Sequence, residues 1–286
     1  MQQDYYPSRV KSESSFFPRL EPTVFSSIEN PEGPLTSEQL SSYDENGFLV
    51  LENFFTEQEV CALKNDAKQN VLKAKEEQYP ELFFEGSSDV PRILCNLHIL
   101  SETFHKVVRD FRLLQIIEQI LGGSVYIHRT RISAQTAFSG TGFNWHSDFE
   151  YWHAQEGIPR MRILSLMIAL TSNYIFNGPL MLVPGSHKEF ISCPKGEDEI
   201  LKTYSTNDFV MPDQPSIKKR VEKHGIYTAS CNAGSILIFD SNILHGSNSN
   251  ISPMERMNYY IVYNSVENKP VRSFSVDEVH PTFMSS

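Results

Sequence analysis

Near Gly122-Gly123 the chain changes grammar, and that change restricts the available folds more than any other feature. The signals before it are helical. Thr36-Ser37-Glu38-Gln39-Leu40 opens a helix that Asn46-Gly47 stops, and Thr56-Glu57-Gln58-Glu59 is a capping box that opens a long amphipathic helix through about Glu77. Ser101–Leu121 reads as two further helices, with Asp110 as an N-cap. Within this region only Phe48–Leu51 reads as a short strand. Beyond the double glycine come β-rich runs at Val125–Ser133, Met161–Leu170, Leu180–Val183, Ser235–Phe239 and Met257–Val262. Turn signals at Asn177-Gly178-Pro179, Pro184-Gly185 and Ala233-Gly234 separate several of them. Helices first and strands on short turns afterwards predict a mostly β fold with flanking helices: a sandwich or barrel braced by the N-terminal helices.

The 286 residues divide accordingly as one domain. An N-terminal arm covers 1–35, mainly helical support 36–123, a β core 124–265 with a polar, helix-bearing insertion around 195–224, and a C-terminal tail 266–286. The arm is rich in Ser, Pro and Glu and reads in two ways. It is either flexible or docked on the domain through Tyr5, Tyr6, Phe16, Phe17 and Phe25. A net charge of −10 argues against nucleic acid or an anionic membrane as the main partner. Cys61, Cys95, Cys193 and Cys231 are scattered, which fits a reducing compartment rather than a disulfide framework or cysteine-rich zinc site. No apolar run approaches the roughly 18 residues of a membrane span, and the first residues lack the apolar core of a signal peptide. The expected location is the cytoplasm.

The chemistry centres on Phe143–Ser165, FNWHSDFEYWHAQEGIPRMRILS. Here His146 and Asp148 are two residues apart, so on an extended strand both would project from one face. Alone, the pair fits a surface turn as well as a metal site. Joined by a distant histidine it becomes the two-His-one-carboxylate set of non-haem Fe(II) oxygenases. His245 is the leading candidate, since it follows the apolar run Ser235–Phe239 and precedes Gly246-Ser247. Eleven residues on lies Arg256, on the next predicted strand. A guanidinium there suits the distal carboxylate of 2-oxoglutarate, which a bidentate fork holds best. No His-Glu-x-x-His exists, which excludes a zincin-type protease. His153 has the wrong spacing for a ligand and reads as a hydrogen-bonded support, and His128 and His187 read as structural.

These motifs resemble the ectoine hydroxylases, within the phytanoyl-CoA-dioxygenase-like superfamily of Fe(II)/2-oxoglutarate oxygenases. Their signature F-x-W-H-S-D-F-E-T-W-H-x-E-D-G-M-P-x-M-R-x-x-S is matched from Phe143 through Glu150, at Trp152 and His153, and at Gly157, Pro159, Met161, Arg162 and Ser165. The similarity runs nearly the full length. It takes in Tyr6-Pro7-Ser8-Arg9, Asn177-Gly178-Pro179-Leu180, Pro184-Gly185-Ser186-His187, Phe239-Asp240 and His245-Gly246-Ser247-Asn248. The resemblance implies a double-stranded β-helix, a cupin-like jelly roll. It implies iron bound by His146, Asp148 and His245, 2-oxoglutarate held by Arg256, O2 as oxidant, and a homodimer.

The departures fall in the pocket. Where the family usually reads H-Q-S-R-I-N-x-K, this chain has His128-Arg129-Thr130-Arg131-Ile132-Ser133-Ala134-Gln135. The expected substrate glutamine is thus Arg129, and the lysine associated with 2-oxoglutarate is Gln135. The threonine of the signature is Tyr151, and its Glu-Asp pair is Gln155-Glu156. Arg129 is expected to meet a substrate carboxylate, Tyr151 to shrink the pocket, and Trp152 and Phe239 to wall a substrate ring. The expected reaction is hydroxylation of a ring carbon of a small, zwitterionic, cyclic amino acid, as in ectoine hydroxylases. The alternatives are a free L-proline 4-hydroxylase and, more remotely, a non-catalytic jelly roll that binds a metabolite.

Overall fold

The computed structural model describes residues 3–195 and 211–274. The short strand β1 (Phe16–Pro18) precedes α1 (Ser37–Asn46) and β2 (Phe48–Leu51). Thr36 and Gln39 complete the first capping box, and Gly47 ends α1 in the left-handed conformation at φ 82°. The second box, Thr56 with Glu59, opens α2 (Glu57–Glu76). Then come β3 (Leu82–Phe84), β4 (Pro91–Cys95), α3 (Leu97–Leu100), α4 (Glu102–Val107) and α5 (Phe111–Leu121), with the Asp110 side chain accepting from Arg112 N. The strand-rich half holds β5 (Val125–Gln135), β6 (Phe143–His146), α6 (Asp148–Glu156), β7 (Ile163–Ala169), β8 (Leu180–Leu182) and β9 (Glu189–Ile191). It ends with α7 (Gln214–His224), β10 (Tyr227–Thr228), β11 (Ile236–Asp240), β12 (His245–Ser247) and β13 (Arg256–Ser265).

Among the described residues, these strands form a seven-stranded antiparallel sheet, β2-β11-β7-β13-β5-β4-β3, and a four-stranded one, β10-β8-β12-β6. Side chains alternate between the two faces of the large sheet. Leu166, Ile168, Ile236, Ile238, Tyr259 and Ile261 pack against the N-terminal helices. Their neighbours Met167, Leu237, Phe239 and Tyr260 pack instead against Leu180 and Leu182 of the small sheet. The strands β7 and β13 are buried along both faces, which is why they read as continuous apolar runs. The expected jelly roll with bracing helices is the observed architecture.

Two strands lie in the region read as helical. β3 and β4 are short and show little alternation, and they are strands because β4 pairs with β5 through Ile93↔Ser133 and Leu94↔Ile132. The arm takes the docked alternative. Tyr6 is fully buried between Phe149, His153 and Phe190, and β1 pairs with β9. Helix α7 occupies the C-terminal part of the expected insertion. Residues 196–210 of that insertion and 275–286 of the tail lie outside the described residues.

Candidate metal centre and its cavity

Register brings the two histidines together. β6 and β12 pair antiparallel with His146 directly opposite His245, and the ring centroids are 4.2 Å apart. In each ring Nδ1 faces a backbone carbonyl, Asn144 O at 2.7 Å from His146 and Ile243 O at 3.0 Å from His245. A carbonyl only accepts, so Nδ1 carries the proton and Nε2 keeps its lone pair.

Asp148 arrives differently from the sequence expectation. The strand ends at His146. Ser147 turns the chain and caps α6, its side chain accepting from Glu150 N, so Asp148 is the first residue of a helix and not of an extended strand. Its carboxylate still reaches the histidines, with Oδ1 at 3.7 Å from His146 Nε2 and 3.9 Å from His245 Nε2. Oδ2 accepts from Ser165 Oγ at 3.0 Å, which fixes the carboxylate from behind. Ligand atoms from the three residues all lie within 4.8 Å of one another, and all three side chains are buried.

Electrostatics set the protonation states a cation needs. Burial pushes His146 down to about 3, with His245 adding to the effect, and burial also lowers His245. Burial works to raise Asp148, but His245, His146, Arg131 and the Ser165 hydroxyl more than offset it and hold it below its usual value. Near neutral pH the site therefore presents two neutral imidazoles and a carboxylate, the forms that bind a divalent metal.

The inner face of the large sheet gathers the remaining candidates in rows. Phe239 pairs with Ser165, Ser165 with Val262, and Val262 with Arg129, so one row crosses the sheet at the level of Asp148. Along β13, Arg256 shares the face of Tyr260, opposite Gln135 of β5. Arg256 is 1% exposed, and its Nε and Nη1 have no hydrogen-bond partner among the described residues. Burial lowers its pKa, and the Tyr260 side chain works the other way. A buried guanidinium with unused donors is costly unless an anion completes it. Gln135 is buried beside it and donates from Nε2 to Ser247 Oγ at 3.2 Å. The turn at Gly178 closes over this corner at φ 78°. A Cβ there would lie 2.0 Å from Gln135 Oε1, which explains the glycine.

A cavity beside Asp148 is lined by Arg129, Arg131, Tyr151, Trp152 and Tyr260. Tyr151 and Trp152, on α6, line this cavity, and Phe239 stands 5.3 Å from the His245 ring. Arg129 comes with a protein partner. It forms a close ion pair with Glu156, which also sits 2.8 Å from His128 Nε2. Burial works to raise Glu156, but Arg129 and His128 outweigh it and hold the carboxyl below its usual value. His153 lies off the centre, bonded to Ile158 O at 2.7 Å and Asp4 at 3.0 Å, as a support. Sequence reasoning missed Arg131 and Tyr260. Arg131 follows Arg129 by two residues on β5 and so shares its face, a signal that was available. Tyr260 looks like any core aromatic until the register is known.

Residues 43–258 match the family model described as phytanoyl-CoA dioxygenase (PhyH). The ectoine dioxygenase of Bordetella bronchiseptica is 42% identical over 269 residues, covering 93% of this chain and 87% of that protein. The crystal structure of EctD from S. alaskensis with 2-oxoglutarate and 5-hydroxyectoine superposes with a TM-score of 0.90 at 34% identity, covering 99% of this chain and 94% of that one. The same enzyme with bound Fe gives 0.89 at 34% identity, covering 99% and 94%. The chain belongs to the phytanoyl-CoA dioxygenase family.

Proposed function

We propose that this member of the phytanoyl-CoA dioxygenase family is an Fe(II)- and 2-oxoglutarate-dependent ectoine hydroxylase working in the cytoplasm, with His146, Asp148 and His245 as metal ligands. One observation carries the reading. Two imidazoles and a carboxylate converge on one point, and the inner face of the large sheet holds a buried guanidinium whose Nε and Nη1 are unmatched among the described residues. These residues fit the group: neutral Nε2 atoms and a carboxylate oxygen suit Fe(II), and three ligands leave positions for co-substrate and oxygen. When bound, iron with 2-oxoglutarate and O2 supplies C–H hydroxylation coupled to decarboxylation of the 2-oxo acid to succinate.

The chain's own residues bind and aim. Arg256 holds the distal carboxylate of 2-oxoglutarate through its fork, and Gln135 supports that end of the site. Ser165 keeps Asp148 oriented, so the metal-facing oxygen does not wander. Trp152, Tyr151 and Phe239 form the apolar walls that exclude water and orient the substrate ring. Arg129 is charge-balanced by Glu156, so it presents the substrate a polar, nearly neutral wall rather than a spare cation. That removes the main motive for the free L-proline alternative, which the ectoine dioxygenase relatives also do not favour. The cytoplasmic location rests on the four free thiols, and a homodimer on the family resemblance.

The test is substrate-stimulated succinate formation with Fe(II), 2-oxoglutarate and O2, with ectoine and L-proline in parallel and products read by mass spectrometry. Hydroxyectoine as the main product is expected. Turnover of proline but not ectoine overturns the substrate, and no turnover of either with iron bound overturns the activity.

A further inference from the structure

The opening motif Tyr6-Pro7-Ser8-Arg9 has no part in the chemistry above, yet it ends on Glu150, two residues from Asp148. We propose that the N-terminal arm is a strap that sets the geometry of that centre, with Arg9 and Arg19 as positioning residues. Each clamps one of the two segments that deliver metal ligands. The proposal rests on the metal-site reading given above.

Arg9 grips Glu150, two residues beyond Asp148 in the first turn of α6. Its Nε and Nη2 donate to the two carboxylate oxygens at 3.0 Å each, and Ser8 Oγ adds a third bond at 2.5 Å. The Glu150 side chain is 2% exposed, so this is a buried bidentate fork. Arg9 holds a left-handed backbone at φ 61°, rare for a residue with a side chain, and its N–H donates to Cys193 O at 3.0 Å. Arg19 grips Asp240, five residues before His245, at 2.8 Å with both side chains nearly inaccessible. Its remaining donors go to carbonyls of Glu21, Pro22, Met161 and His187.

The two clamped segments also hold each other. Phe149 N donates to Ser241 O at 2.8 Å, and Ser147 Oγ reaches Ser241 O and Asn242 Oδ1, both at 3.3 Å. A strap needed only for stability would do as well with apolar contacts, since buried ion pairs often add little net stability. What the Arg9 fork and the buried Arg19–Asp240 pair add is direction. They fix where α6 starts and where the turn before His245 lies, to the tolerance a metal site requires.

The experiment uses full-length apoprotein and Co(II) alone as a redox-stable probe. Two paired variants remove each clamp without stranding a charge: Arg9→Met with Glu150→Met, and Arg19→Met with Asp240→Asn. A third, Arg9→Lys, keeps the charge and loses the fork. Groups hydrogen-bonded to a metal ligand typically cost about 10- to 100-fold in metal affinity when removed, and clamps acting one residue further out are expected at the lower end, about 10-fold. The expected result is a Co(II) Kd raised by that factor in the paired variants and less in Arg9→Lys, with kcat recovering when metal is in excess. Lys68→Met, at an exposed pair with Glu255, is expected to leave Kd unchanged. Metal affinity within twofold of wild type in the variants that fold, Arg9→Lys included, with thermal unfolding shifted instead, overturns the proposal. Wild-type protein that fails to bind Co(II) refutes the metal-site reading itself, a distinct result.

Discussion

Replacing Arg256 with Met should separate stability from function in opposite directions. In the apoprotein this guanidinium is buried at 1% exposure, with Nε and Nη1 unpartnered among the described residues. An unsatisfied buried donor costs about 1–3 kcal/mol, more when it belongs to a charged group. Methionine is apolar and unbranched and has no donors to leave unmet. Against this gain stands the side-chain contact with Tyr260, which opposes the fall in the Arg256 pKa and whose loss costs about 1 kcal/mol. With two unmet donors against one lost contact, the balance favours the variant by about 1–5 kcal/mol, which at about 2 °C per kcal/mol for a chain this long is an apoprotein Tm raised by about 2–10 °C. The co-substrate should suffer the reverse. Losing two charge-assisted hydrogen bonds at about 1.5–3 kcal/mol each raises KM for 2-oxoglutarate at least 100-fold, with kcat less affected. Differential scanning fluorimetry with and without 2-oxoglutarate reads both effects. The wild-type shift on adding 2-oxoglutarate should vanish in the variant. A variant that is several degrees less stable as apoprotein, with an unchanged KM, refutes the reasoning.

Other expectations follow from the same geometry. His146→Ala should abolish Fe(II) binding, measured by anaerobic titration, while the protein stays folded, because the side chain lost is neutral. Gly178→Ala places a Cβ against Gln135 in a left-handed turn, so Tm should fall and KM for 2-oxoglutarate should rise together. Arg129→Gln restores the residue usual in ectoine hydroxylases but leaves Glu156 buried without its main cation, so about 3–5 kcal/mol of stability should be lost and Glu156→Gln added to it should recover most of that. The Glu156 carboxyl is held below its reference value of 4.5, so its contribution is present above about pH 4.5 and is lost as pH falls through its lower folded value. The Tm difference between wild type and Glu156→Gln should therefore be full at pH 6–7 and shrink towards pH 3.

Where local signals agree with tertiary pairing, the sequence was readable. The capping boxes at Thr36 and Thr56 and the runs that became β7, β11 and β13 are such places, because caps and apolar runs act over a few residues. Asp148 meets the two histidines as expected, but from a helix and not from a strand. A serine that turns a strand into a helix puts residue 148 near residue 146 as effectively as a pleat does, and periodicity does not distinguish the two. The Arg129–Glu156 pair was hidden because 27 residues separate the partners and nothing local couples them. The strap was hidden for the same reason over longer spans, 141 residues from Arg9 to Glu150. Long-range ion pairs belong to the register of the whole fold, so they emerge only with it.

The most direct test of the central claim is a single-substrate reaction under isotopically heavy O2 with Fe(II), 2-oxoglutarate and ectoine. The account predicts one heavy oxygen atom in hydroxyectoine and one in succinate, with the two products formed in equal amounts and both abolished by His245→Ala. Hydroxyectoine formed without 2-oxoglutarate, or succinate that ectoine does not stimulate in folded, iron-loaded protein, would contradict it.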